Sequence, residues 1–254
     1  MSVRQVSATV SVVVAPNPGP MTLEGTNTWV LRAPGARDCV VIDPGPLEES
    51  HLAEVAALGP VAQVLLTHGH ADHSQGARRL HELTGAPVRA LDPAHRYGNI
   101  GLAAGEVVVA GGLELQVLAT PGHTADSLSF VMALPDGGSA VLTGDTILGR
   151  GSSVVAHPDG VLGDYLASLE RLRALGAATV LPGHGPELAS AGVAAEHYLR
   201  HRAERLEQVR AAMEAGDHTA DQIVARVYLD VDPVLWPAAR LSVLAQLAYL
   251  EQRG

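Results

Sequence analysis

The sequence predicts an α/β fold of packed sheets with helices on their outer faces, followed by an all-helical appendage. Three observations predict it. Short β-rich runs bounded by turn residues recur between residues 10 and 183. Helical patterns, with apolar residues at three- and four-residue spacing, sit between some of these runs, irregularly and without a repeating βαβ array. The composition then changes near residue 190, beyond which no strand-like run occurs.

The elements follow in order. VSVVVA (10–15) and TNTWVL (26–31) are strands separated by the turn-forming PNPGP, and CVVID (39–43) is a third. LEESHLAEVAAL (47–58) has helical spacing, VAQVLL (61–66) reads as a buried strand, and HSQGARRLHELTG (73–85) is helical again. LELQVLA (113–119), SLSFVMAL (127–134) and SAVLTG (139–144) are successive strands, with AGG before the first and PDGG between the last two. GDYLASLERLRALG (163–176) is a helix and TVLPG (179–183) a last strand. These elements place one domain over residues 1–190. AGVAAEHYLRHRAERLEQVRAAMEAG (191–216) is one long charged helix ended by Gly216, and two further helical segments complete an appendage over residues 191–254. The alternating Arg and Glu of that long helix read as a solvated face.

Composition excludes several functions. All 17 basic residues are Arg, so no lysine nucleophile or Schiff base is available. A net charge of −10 repels nucleic-acid phosphates at long range, which disfavours broad nonspecific binding to RNA or DNA, and duplex DNA is not an expected partner. The one cysteine, Cys39, excludes a disulfide within the chain and any cysteine-rich zinc cluster. No run reaches the roughly 18 apolar residues of a membrane span. The N-terminal VSATVSVVVAP reads as a strand, not a signal peptide, so the expected compartment is the cytoplasm.

LLTHGHADHSQG (65–76) places His68, His70, Asp72 and His73 directly after a buried strand. In an extended segment His68 and His70 point to one side, and Asp72 and His73 open the following helix. Three later residues stand in the same strand-then-turn setting: His123 in TPGHT, Asp145 in TGD and His184 in PGHGP. A structural zinc closes with four ligands, commonly including Cys. Five imidazoles and two carboxylates are too many for one such ion. They suit two divalent ions about 3.5–4 Å apart, one carboxylate bridging, sharing a water whose lowered pKa supplies hydroxide at neutral pH. That is a hydrolytic centre. Zinc is the default metal, and iron or manganese suits the same donors. Isolated histidines such as His51, His95 and His201 are read as ordinary core or surface residues.

THGHADHSQG, TPGHT, TGD and PGHGP, in that order, resemble the metallo-β-lactamase superfamily of αββα-sandwich hydrolases over roughly residues 10–190. The resemblance implies that His68, His70 and His123 bind one metal and that Asp72, His73 and His184 bind the other, with Asp145 bridging. Asp72 would also orient the nucleophilic water. True penicillin-hydrolysing members with a cysteine ligand carry it where Asp145 stands, so β-lactam turnover is not the expected role. NPGPMTLEGTNTWVL, ILGRGSSVV and GDYLASLERL are similar to the lactamase-beta-2 group, which joins the hydrolase domain to a winged-helix-like appendage and includes a single-strand-specific endoribonuclease; related fungal proteins act as polyketide thioesterases. The chain's last residues stop where a β-wing would begin, so the appendage is expected to lack it and to serve packing or dimerisation, with a homodimer as one outcome.

The expected substrate is a phosphodiester, single-stranded RNA; the alternative is a small-molecule thioester or related carboxylic ester. A metal-stabilised scaffold without turnover needs at most four of the seven ligands. Thr26 and Asn27 are candidates for the active-site mouth, and Arg150 and Ser152 for contacts to a substrate anion. Asp43, in VVIDPG, is a candidate acceptor orienting a histidine ligand.

Overall fold

The computed structural model describes residues 3–98 and 100–253. It contains two mixed sheets. The first has six strands in sequence order: β1 (Arg4–Gln5), β2 (Val10–Val14), β3 (Asn27–Leu31), β4 (Cys39–Ile42), β5 (Val61–Leu65) and β6 (Val88–Arg89). The second has five: β7 (Val107–Ala110), β8 (Leu113–Ala119), β9 (Leu128–Ala133), β10 (Ser139–Gly144) and β11 (Thr179–Pro182), in the spatial order β11-β10-β9-β8-β7.

Period-two alternation sorts each strand's side chains between two cores. Val10, Val12, Val40 and Ile42 face the second sheet and meet Leu115, Val117, Phe130 and Leu142 between the layers. Val13, Cys39 and Val41 face outward, against Leu52 and Val55 of α1 (Glu49–Ala57) and Leu80 of α3 (Ala77–Thr84). The outer face of the second sheet is covered by α4 (Leu162–Arg173) and by the first half of α5 (Ala191–Glu214). The result is a four-layer αββα sandwich.

Strand direction places the loops. β4, β5 and β6 are parallel, joined by helical crossovers, and β10 is parallel to β11. β8 and β10 both run antiparallel to β9, so they share a direction. The ends of β8, β10 and β11 therefore lie on one edge of their sheet. β3 runs antiparallel to β4, which brings its first residues to the same edge as the ends of β4 and β5.

The helical stretch 73–85 is broken: α2 (Ala71–Ser74) and α3 are separate, with Gly76 at the joint. Its α-carbon comes so close to the Gly45 and Pro46 carbonyls that an added Cβ would stand within 3.0 Å of both. β1 and β6 are two-residue strands that pairing, not local pattern, creates. β7 forms a hairpin with β8 through Gly111 and Gly112, both at positive φ, the backbone that a two-residue turn of this kind requires.

Three helices form the appendage: α5, α6 (Ala220–Val227) and α7 (Trp236–Glu251), the last preceded by a 3₁₀ turn, Pro233–Leu235. No strand follows residue 190 among the described residues. α5 is shared: Ala191, Ala195 and Tyr198 pack on α4, whereas Val209 and Ala212 join Ile223 and Val243 in a separate core. Among the described residues, no helix is long and apolar enough to cross a membrane.

Candidate metal centre

Each ligand-type residue hangs from a strand end on that one edge. His68 and His70 follow β5, and His73 lies in α2. His123 follows β8, Asp145 follows β10 and His184 follows β11. Positions far apart in the chain thereby meet. His70 Nδ1 lies 3.0 Å from both His68 Nε2 and His123 Nε2. His184 Nε2 lies 3.2 Å from His73 Nε2 and 3.2 Å from Asp72 Oδ2. The donor atoms of His68, His70 and His123 form one set within 4.8 Å, and those of Asp72, His73 and His184 form another. Asp145 stands between them: Oδ1 is 3.3 Å from His73 Nε2, and Oδ2 is 3.4 Å from His184 Nε2 and 3.8 Å from His123 Nε2.

The outward-facing ring nitrogens set the tautomers. Nδ1 of His123 lies 2.7 Å from the Val154 carbonyl, Nδ1 of His184 3.1 Å from the Gly25 carbonyl, and Nδ1 of His73 2.9 Å from Asp43 Oδ2. An N–H donated outward leaves the Nε2 lone pair facing inward, which is how proteins prepare imidazole for a metal. Asp43 is held in turn by the Thr67 amide and hydroxyl. Ser153, buried, adds its hydroxyl 3.2 Å from His123 Nδ1.

The donor set fits divalent ions. Inward nitrogens face one another at hydrogen-bonding distance, and the buried Oδ1 of Asp145 has no hydrogen-bond partner. Burial lowers the pKa of His68 far below the usual imidazole range, and burial with neighbouring histidines lowers that of His123. Burial also opposes charge on His73 and His184, but there Asp145 outweighs it. With Asp43 it holds His73 well above the usual range, and with Asp72 it raises His184 to about 9. Burial would raise Asp72, but its hydrogen bond to His184 and the charge on His73 bring it down to about 2. Asp72 and Asp145 thus favour protons on His73 and His184, which divalent ions would displace.

The remaining sequence candidates fall in different places. Asp43 sits on His73, as described. Thr26 and Asn27 do not reach an open mouth: both are buried, 0% and 4% exposed. Thr26 donates to Asp72 Oδ2 at 3.2 Å, and the Asn27 amide donates to the carbonyls of Pro182 and Gly185. Thr26, just before β3, pairs with His184 there, so Thr26 and Asn27 support the ligand-type residues from behind. Arg150 and Ser152 line a cavity of about 320 Å³ that starts at His123 and Asp145 and runs between the sandwich and the appendage. Arg150 is bound to Glu24 at 2.5 Å, both residues on the surface.

Three residues of this cavity escape the sequence reading. His201, Arg202 and Arg205 of α5 line its wall, and Arg202 is only 5% exposed. The solvated-face reading of α5 is therefore wrong at Arg202 and Arg205. A signal exists: Arg202 continues the buried stripe Ala191, Ala194, Ala195 and Tyr198, where an apolar residue is expected.

A family model described as the metallo-beta-lactamase superfamily matches residues 21–184, and one described as the beta-lactamase associated winged helix domain matches residues 219–254. The Lactamase-like protein adaB of Aspergillus niger is 33% identical over 220 residues, which cover 84% of this chain and 66% of that protein's own length. The Beta-lactamase-like protein 2 homolog of Drosophila melanogaster is 29% identical over 281 residues, covering 100% of this chain and 91% of that one. The crystal structure of a metallo-beta-lactamase family protein from Thermus thermophilus shares the fold, with a TM-score of 0.82 at 24% identity, over 98% of this chain and 95% of that one. The four-layer sandwich, the His- and Asp-bearing loops on one edge and these matches agree that the chain belongs to the metallo-beta-lactamase superfamily.

Proposed function

We propose that the chain is a two-metal hydrolase of carboxylic esters and thioesters. In this reading His68, His70 and His123 hold one ion, Asp72, His73 and His184 hold the second, and Asp145 lies between them. Zinc is the default occupant, with iron and manganese suited to the same nitrogen and oxygen donors. Such a pair, when bound, supplies a water of lowered pKa and a Lewis acid for the attacked carbonyl. Asp72 is the one carboxylate among these ligands that is substantially open to the cleft, at 29% side-chain exposure. Kept ionised by its neighbours, it accepts hydrogen bonds and can orient an attacking water. Thr26 and His184 fix its direction from behind.

The observation that carries the choice of substrate is the cavity. It leaves the candidate ligands past Leu148, Met21, Val231 and Ala239, apolar side chains suited to an acyl group, with Arg150, Arg202 and Arg205 among the rest of its lining. A phosphodiester in single-stranded RNA, the substrate first expected, would use the same ligands, but a chain of net charge −10 offers its backbone no long-range attraction.

The test is a panel of acyl thioesters, an aryl phosphodiester and single-stranded RNA, each assayed with metal added back. Thioester hydrolysis, abolished in folded His70→Ala and Asp145→Ala, is the expected result. Cleavage of RNA with no thioester turnover would replace this reading with the nuclease one.

A further inference from the structure

We propose that the cavity beside the metal centre is an anion-anchoring pocket, in which Arg202 and Arg205 bind a carboxylate or phosphate carried by an otherwise apolar ligand. Arg202 is the main observation. Its guanidinium lies over the Tyr165 ring, 5.1 Å from the centroid, and donates to the Ser153 carbonyl. Its buried Nε has no hydrogen-bond partner, and no carboxylate lies within ion-pairing distance of it among the described residues. A cation 95% removed from water without a counter-charge is costly to keep and is relieved by a bound anion.

Arg205, one helical turn on, extends the same wall. It stacks on Tyr228 at 4.6 Å, donates to the Val227 carbonyl at 2.7 Å and to Gln208 Oε1 at 3.0 Å, and lines the cavity. Its nearest carboxylate, Asp230, stands 3.6 Å away on the surface and is 75% exposed, so that pair is screened and weak. The third arginine of the cavity, Arg150, already has Glu24. Val231, Leu235 and Ala239 supply the apolar side from the appendage. Arg202 reaches Ser153, and Ser153 reaches His123, so the anchor lies one residue's contact from a metal ligand. An acyl group that ends in an anion is the ligand this combination of apolar and cationic lining suits. This deepens the ester-hydrolase reading, on which only the position of the scissile group rests.

The experiment is isothermal titration of the full chain with hexanoate, hexyl phosphate and hexanol, first with metal removed by chelation and then with zinc restored. At least one anion is expected to bind ten or more times more tightly than hexanol in the chelated protein, and the better of the two identifies the group. That advantage is expected to fall below threefold in Arg202→Gln and in Arg205→Gln. Should Arg202→Gln lose its circular dichroism, Arg205→Gln alone carries the comparison. Equal binding of anion and alcohol, an advantage present only with zinc, or one that survives in every folded variant would overturn the proposal. Anion binding without thioester turnover would sink the ester reading and leave the pocket. Turnover without anion preference would do the reverse.

Discussion

The carboxylate of Asp43 lies 2.9 Å from Nδ1 of His73, and both side chains are buried. Asp43 follows β4 at a φ of 51°, a left-handed conformation that Asn also tolerates. Asp43→Asn should therefore fold, yet it replaces an acceptor on His73 with an amide that cannot fix the ring in one tautomer. Partners of this kind are typically worth roughly 10–100-fold in metal affinity. Metal content at buffered free zinc should show one of two ions weakened by about that factor. Unchanged loading of both would mean that His73 is positioned without Asp43.

Gly183 offers a second probe from the opposite side. A Cβ there would stand 2.4 Å from Asp145 Oδ1 and 2.7 Å from His73 Cε1. Gly183→Ala must push aside the carboxylate between the two ligand sets. The expected outcome is a folded protein holding at most one ion and lacking hydrolysis. Two ions bound in this variant would show that Asp145 has freedom to move.

Much of this is legible in the chain itself, for physical reasons. The longer strands announce themselves through β-branched runs between turn residues, and His68, His70 and His73 through dense ligand spacing after one of them. β1 and β6 are too short to leave a period, so only their partners define them. Thr26 and Asn27 read as mouth residues because a polar pair opening a strand looks the same whether it faces solvent or a ligand loop. The cavity is a harder case. Met21, His123, Arg202 and Ala239 meet there from four separate regions of sequence, and no local pattern encodes that meeting. Arg202 is the one clue, a charge on an apolar stripe.

The appendage wall depends on α6, whose start is fixed by a capping box. The Thr219 hydroxyl accepts from the Gln222 amide, and the Gln222 side chain accepts from the Thr219 amide. Thr219→Ala should lower stability by about 1 kcal/mol, with metal content unchanged. Urea denaturation followed by circular dichroism measures the first, and metal analysis the second. Loss of metal in this variant would couple the appendage to the centre more tightly than the separate core around Ile223 and Val243 implies.

Without metal, the centre's histidines should give stability a maximum near pH 6.5. His184 rises from 6.5 to about 9 on folding, so its contribution is complete below pH 6.5 and is lost as pH climbs toward 9. His73, shifted upward by Asp145 and Asp43 against its burial, acts in the same direction. His68 and His123 move the other way: burial depresses them, so their contribution is complete above 6.5 and is lost as pH falls below it. Asp72, brought from 3.8 to about 2, adds a further loss at the acid end. Bound ions take the place of these protons, so metal loading at pH 7 should release protons and remove the decline between pH 6.5 and 9. Thermal melts with chelator and with zinc at pH 5.5, 6.5 and 9 test the profile, and calorimetry in buffers of different ionisation enthalpy counts the protons. A chelated protein equally stable at pH 6.5 and 9, with no proton release on loading, would mean that His73 and His184 are neutral beside Asp72 and Asp145.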